Sequence, residues 1–196
     1  MIKKGVYAAS LSVINKDYTL NVKSTIAHAE SLIRSGLHGV FFFGSTGQSQ
    51  LISISEKKEL IARIANNKLR NQFFLGTGNN SINETLDLIK YSFEYNFHDF
   101  LIMPPAYYKG NTDKGVFEFY KKIITATPKV KIILYNFEKL SGYKFSAEAV
   151  TNLVKTFPDN IIGIKDSSYN LFENLKIPNF LMFPGSEAKL LKGLEL

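Results

Sequence analysis

Lys165 closes the apolar run Ile161-Ile162-Gly163-Ile164 and stands where a strand would give way to a loop. A primary amine at such a position, partly withdrawn from water, can attack a carbonyl and form an imine. From position alone a plainer role is the stronger one: an end-of-strand lysine paired with Asp166 or extended to solvent. Tyr135 ends a second run, Lys131-Ile132-Ile133-Leu134, with Asn136 after it. A phenol there can shuttle protons during imine chemistry or can simply fill a rim. Ser45 and Thr46 lie between Gly44 and Gly47. Two hydroxyls and the turn's N–H groups suit a small carboxylate, although from the residues alone an ordinary polar turn is the stronger reading. The Tyr107-Tyr108 pair follows Pro104-Pro105-Ala106 and reads first as packing surface.

Other chemistries fail on residue type or spacing. The chain has no cysteine, which removes disulfides, thiol catalysis and cysteine-ligated zinc. His28, His38 and His98 are isolated, so a metal site is not expected. There is no Gly-x-Ser-x-Gly elbow and no Walker loop. Gly76-Thr77-Gly78 is a lone Gly-x-Gly, better explained by a tight turn than by a dinucleotide. The net charge of +7 comes from diffuse lysines, with Arg34, Arg63 and Arg70 the only arginines, so no nucleic-acid partner is expected. No apolar run reaches the ~18 residues of a membrane span. Lys3 and Lys4 ahead of an apolar stretch could imitate a signal peptide, but polar Asn15, Lys16 and Asp17 follow without a cleavage pattern. The expectation is a cytoplasmic protein without membrane contact.

The elements that must position these residues form a repeating pattern. Apolar runs begin near Gly5, Gly39, Phe73, Asp99, Lys131, Ile161 and Phe180, at intervals of about 19 to 34 residues, the length of a strand, a helix and two turns. Helical periodicity joins Ile26, Ala29, Leu32 and Ile33, then Val116, Phe119, Tyr120 and Ile123, then Val150, Leu153 and Val154 after Ser146. Ser53 with Glu56, and Ser81 with Glu84, have capping-box spacing. The runs are apolar throughout, as in a parallel sheet buried on both faces. Seven such units predict an α/β chain folded as one domain over residues 1–196, a TIM (β/α)8 barrel that is incomplete. A full barrel takes ~250 residues. Here the sixth helix, between Ser168 and Ile177, is short, the seventh has barely room, and no eighth strand follows. In such a barrel the strand ends share one face, and there the candidate residues would meet.

These motifs together resemble the dihydrodipicolinate synthase/N-acetylneuraminate lyase family, pyruvate-dependent class I aldolases on a TIM barrel, here shortened at the C-terminal side. The likeness runs from about Gly5 onward through Gly44-Ser45-Thr46-Gly47, Tyr135-Asn136, Ser141-Gly142 and Gly163-Ile164-Lys165-Asp166. It implies that Lys165 forms a Schiff base with pyruvate and that Tyr135 relays protons. It implies that Ser45 and Thr46 hold the carboxylate, Ser45 also serving the relay, and that Tyr107 reaches a neighbouring subunit of a homo-oligomer. Gly185 and Glu187 would contact the second substrate. Neither metal nor separate cofactor is implied, and the partners are a small 2-oxo acid and an aldehyde. Leu140 stands where the synthases carry an arginine for the aldehyde's carboxylate, with Lys139 beside it, and Gln48 replaces a customary glutamate. The favoured expectation is a lyase or aldolase acting on a 2-keto-3-deoxy sugar acid or N-acetylneuraminate. A 4-hydroxy-tetrahydrodipicolinate synthase is the alternative within the enzyme class. An inactive shortened barrel is the alternative outside it.

Overall fold

Helix starts are set by side-chain caps and strands by the apolar runs between them. The computed structural model describes residues 2–195. Its strands are β1 (Tyr7–Ala9), β2 (Gly39–Phe42), β3 (Phe73–Gly76), β4 (Asp99–Ile102), β5 (Lys131–Asn136), β6 (Ile161–Asp166) and β7 (Leu181–Pro184). The helices are α1 (Val22–Arg34), α2 (Ile54–Ile64), α3 (Ile82–Glu94), α4 (Asp113–Ala126), α5 (Glu138–Ser141), α6 (Ala147–Thr156) and α7 (Leu190–Glu195). Sheet order follows chain order from β1 to β7. The chain divides into two compact units, one ending at Phe100 and one beginning at Leu101.

In the first unit β1, β2 and β3 pair in parallel, with Tyr7 opposite Gly39 and Val40 opposite Phe73. Every residue of β2 and β3 is buried, as expected for strands covered on both faces. Aromatic pairs bind the strands laterally: Phe42 meets Phe73 and Phe41 meets Phe74, each at 5.3 Å between ring centroids. Gly39 is required by close approach, because a Cβ there would lie 2.6 Å from the Gln72 carbonyl oxygen. In α1 the Asn21 side chain caps the first turn, and Thr25, Ala29 and Ile33 face inward. Ser53 and Glu56 form the full capping box at α2, and Glu56 Oε1 also accepts the Leu20 N–H at 2.6 Å. Ser53→Ala is therefore expected to cost about 1 kcal/mol, read by urea denaturation. At α3 only the serine half of the box forms, Ser81 accepting from Glu84 N–H. The Glu84 charge acts instead on buried Lys57.

In the second unit β5, β6 and β7 are parallel, with one register irregularity between Ile132 and Ile133. Thr112 caps α4, whose Val116, Tyr120, Ile123 and Ile124 are buried. The Tyr120 hydroxyl donates to the Ile102 carbonyl at 2.8 Å, and complete burial pushes its pKa well up. Ser146 caps α6, and Val150 and Leu153 point inward.

The structure departs from the sequence reading in four places. No sixth helix forms between Ser168 and Ile177; the segment runs as turns because the Asp166 carboxylate takes the N–H groups of Ser168, Tyr169, Leu171 and Phe172. A short helix, α5, follows β5 instead. The first strand starts at Tyr7 rather than Gly5, since Val6 N–H donates to His38 Nδ1. Finally, β1 and β7 are only half-buried, as suits strands at the two ends of the sheet order.

Candidate active site

The ends of β5 and β6 carry two of the candidate residues, Tyr135 and Lys165. Tyr135 and Lys165 are register partners on these parallel strands, so their side chains leave the sheet on the same face. Lys165 Nζ sits 4.5 Å from the centroid of the Tyr135 ring, a cation–π distance. Tyr135 is 4% exposed, and Lys165 is half-buried. The plainer reading of Lys165, a pairing with Asp166, does not describe this geometry. Successive strand residues face opposite ways, and Asp166 turns inward to five N–H donors.

The neighbouring β7 comes close enough to demand glycine. A Cβ on Gly163 would meet the Leu181 carbonyl oxygen at 2.6 Å. A Cβ on Gly185 would lie 1.9 Å from Ser167 Oγ. Gly185 N–H donates to the Asp166 carbonyl at 2.9 Å, so Gly185 borders the end of the Lys165 strand. Glu187, in the 3-10 turn after it, is exposed. Tyr107, in the loop after β4, is 78% exposed and meets Tyr108 edge-on at 5.1 Å. Its backbone has φ +75°, a left-handed conformation that is uncommon for an aromatic residue. From the same loop Lys109 Nζ donates to the Leu140 carbonyl at 3.0 Å, and its stem covers Gly142. Sequence spacing gave no sign of Lys109. Lys139 itself is exposed.

In the first unit, Ser45 and Thr46 occupy the turn after β2. Gln48 N–H donates to the Ser45 carbonyl at 3.0 Å, with Gln48 in the left-handed region. Gly47 allows this turn to press on β1's end: a Cβ would be 2.7 Å from the Ser10 carbonyl oxygen. Ser45 is half-buried and Thr46 exposed. Sequence reading also missed Lys57. This α2 side chain is fully buried and donates to the Thr77 carbonyl at 2.9 Å and Asn79 Oδ1 at 2.7 Å. Burial lowers its pKa to about 8, with Glu84 acting in the opposite sense. A single lysine inside a charged stretch, Ser55-Glu56-Lys57-Lys58-Glu59, gives no hint of such burial. Among the described residues no group of three or more His, Asp or Glu could hold a metal ion. Nor is any described helix long and apolar enough to cross a membrane.

Comparison with known proteins shows the family. The model of the dihydrodipicolinate synthetase family matches residues 3–196. The chain belongs to this family. A 4-hydroxy-tetrahydrodipicolinate synthase of Methanococcoides burtonii is 33% identical over 86% of this chain and 56% of its own length. A 2-dehydro-3-deoxy-D-gluconate/2-dehydro-3-deoxy-phosphogluconate aldolase of Picrophilus torridus is 29% identical over 80% of this chain and 59% of its own. The chain thus spans less than two thirds of the length of these relatives. Among solved structures, the dihydrodipicolinate synthase of Agrobacterium tumefaciens superposes with a TM-score of 0.89 at 25% identity, covering 98% of this chain and 70% of that one. The 2-keto 3-deoxygluconate aldolase of Picrophilus torridus gives 0.88 at 25% identity, covering 99% and 71%. The fold is that of an incomplete TIM barrel, with seven parallel strands among the described residues.

Proposed function

We propose that this protein is a Schiff-base aldolase or lyase of 2-oxo acids, with Lys165 as its nucleophile. The observation that carries the reading is the Lys165 amine held 4.5 Å over the Tyr135 ring at the ends of paired strands. The amine attacks the keto carbon of pyruvate, the carbinolamine loses water, and a protonated imine results. That imine accepts electron density when the methyl group loses a proton, giving an enamine. The enamine carbon adds to an aldehyde, and water then releases the product and the free amine. The reverse sequence cleaves the same bond.

Tyr135 relays the protons of carbinolamine collapse and of carbon–carbon bond formation. The motif resemblance assigns the pyruvate carboxylate to Ser45 and Thr46, and the second substrate to Gly185 and Glu187. It also assigns Tyr107 to a contact with a neighbouring subunit of a homo-oligomer, a role its exposed ring supports. The reaction requires no metal or separate cofactor. For the aldehyde, Leu140 in α5, just after β5, favours a 2-keto-3-deoxy sugar acid, and the relatives named as aldolases of such acids support it. The relative named as a 4-hydroxy-tetrahydrodipicolinate synthase supports the second reading.

Incubation with pyruvate and borohydride, followed by intact mass measurement, tests the class. A gain of one reduced pyruvyl group supports it, and an unchanged mass contradicts it. Tyr135→Phe is expected to lower the rate of adduct formation about 10²-fold while leaving pyruvate half-saturation within about threefold. Quenched-flow trapping measures both.

A further inference from the structure

One residue beyond Tyr135 and Lys165, the two strands are joined by a closed polar ring. Asp166 is fully buried. Its Oδ1 accepts from Asn136 Nδ2 at 2.8 Å, Tyr169 N–H at 3.0 Å and Ser168 N–H at 3.1 Å. Its Oδ2 accepts from Leu171 N–H at 2.8 Å and Phe172 N–H at 3.0 Å. Asn136, equally buried, donates a second bond to Asn170 Oδ1 at 2.9 Å and accepts the Phe145 N–H at 3.1 Å. Asn170 closes the ring by donating to the Phe145 carbonyl at 2.9 Å. Every polar atom of the Asn136 side chain is engaged, which fixes its rotamer and its amide orientation.

This ring has a geometric consequence. Asn136 and Asp166 are register partners, as are Tyr135 and Lys165 immediately before them. A side-chain bond across one pair restricts sliding and splaying of the pair beside it. The backbone agrees: Ser167 N–H donates to the Asn136 carbonyl at 2.8 Å, extending the β5–β6 ladder past Lys165. The carboxylate also gathers the chain after β6 into turns, so the strand end does not run on into a helix. Low local dielectric strengthens such a network when it is fully satisfied.

We propose that Asn136 and Asp166 are positioning residues that hold the Lys165 amine against Tyr135 for attack on the 2-oxo acid. The inference rests on the Schiff-base reading above. Neither residue touches the reacting atoms; both act through the register of β5 against β6. A displacement of about 1 Å at the amine costs on the order of 10²-fold in rate.

The test is Asn136→Ser, which removes the cross-strand bond but leaves the four backbone donors on Asp166. Asp166→Asn serves as a second variant. Each is followed by a thermal melt and by the rate of pyruvate trapping with borohydride at saturation. The expected result for Asn136→Ser is a cooperative melt, an adduct still on Lys165, and trapping about 10- to 100-fold slower with pyruvate half-saturation little changed. The loss lies in the trapping rate per folded molecule. A purely structural role would instead scale trapped amplitude with the folded fraction and leave that rate unchanged. A folded Asn136→Ser that traps pyruvate at the wild-type rate overturns the positioning role and leaves the Schiff-base reading standing. Absence of any adduct on the wild-type protein overturns both. If Asp166→Asn loses its cooperative melt, Asn136→Ser alone decides.

Discussion

Lys165→Ala is expected to abolish the borohydride-trapped pyruvate adduct and to reduce carbon–carbon bond turnover by at least ~10³-fold, about 4 kcal/mol of barrier. The size follows from the chemistry. Without the amine there is no imine, and without the imine the methyl carbon of pyruvate has no electron sink to stabilise its carbanion. No neighbouring group supplies a substitute. Asp166 is turned into the fold and held by five donors, and Tyr135 offers a phenol rather than an amine. The substitution is also mild structurally, because Lys165 is half-buried and its charge rests on an aromatic face rather than in an ion pair. A melting temperature close to that of the wild type is expected alongside the lost adduct, and circular dichroism checks it.

The second large effect is on stability and lies at Lys57. Lys57→Ala is expected to destabilise the protein by about 3 kcal/mol at pH 7. It empties the volume of a buried four-carbon stem and leaves the Thr77 carbonyl and Asn79 Oδ1 without their donor. Lys57→Met is expected to cost about 1 kcal/mol, because it refills the space and removes a buried charge while still stranding the acceptors. The two variants are compared by urea melts. The pH dependence has a definite sign. Burial depresses the folded-state pKa to about 8, against an ordinary lysine value of 10.5. Between those values the unfolded chain binds more protons than the folded one, so stability rises with pH. Below pH 8 the cost of burying the charged amine is felt in full, and it is relieved progressively up to about pH 10.5. The wild type should therefore gain on Lys57→Met across that window. A difference between the two that stays flat from pH 7 to pH 10.5 would contradict the buried, protonated amine.

Most of the architecture was readable from periodicity. Apolar runs separated by capped amphipathic stretches located all seven strands, and Ser53 with Glu56 marked a helix start to the residue. The failures share a cause: a side chain acting on distant backbone. The segment after Lys165 has the composition of a short helix, yet Asp166 draws its N–H groups into turns. Lys57 reads as one charge among several, yet contacts twenty and more residues away take it fully inside. In the candidate site, the nearness of Lys165 to Tyr135 was legible as two strand ends, because a parallel ladder brings equivalent ends together. The Asn136–Asp166 ring behind them was not, since sequence spacing carries no information on which buried amide meets which carboxylate.

Peptide mapping after borohydride reduction in the presence of pyruvate locates the reactive amine. The protein is trapped with borohydride, digested, and the modified lysine located by tandem mass spectrometry. A single reduced pyruvyl group on Lys165 is expected. A label on Lys57, whose amine is fully buried and has its pKa lowered to about 8, or labels scattered over surface lysines with Lys165 unmodified, would contradict it.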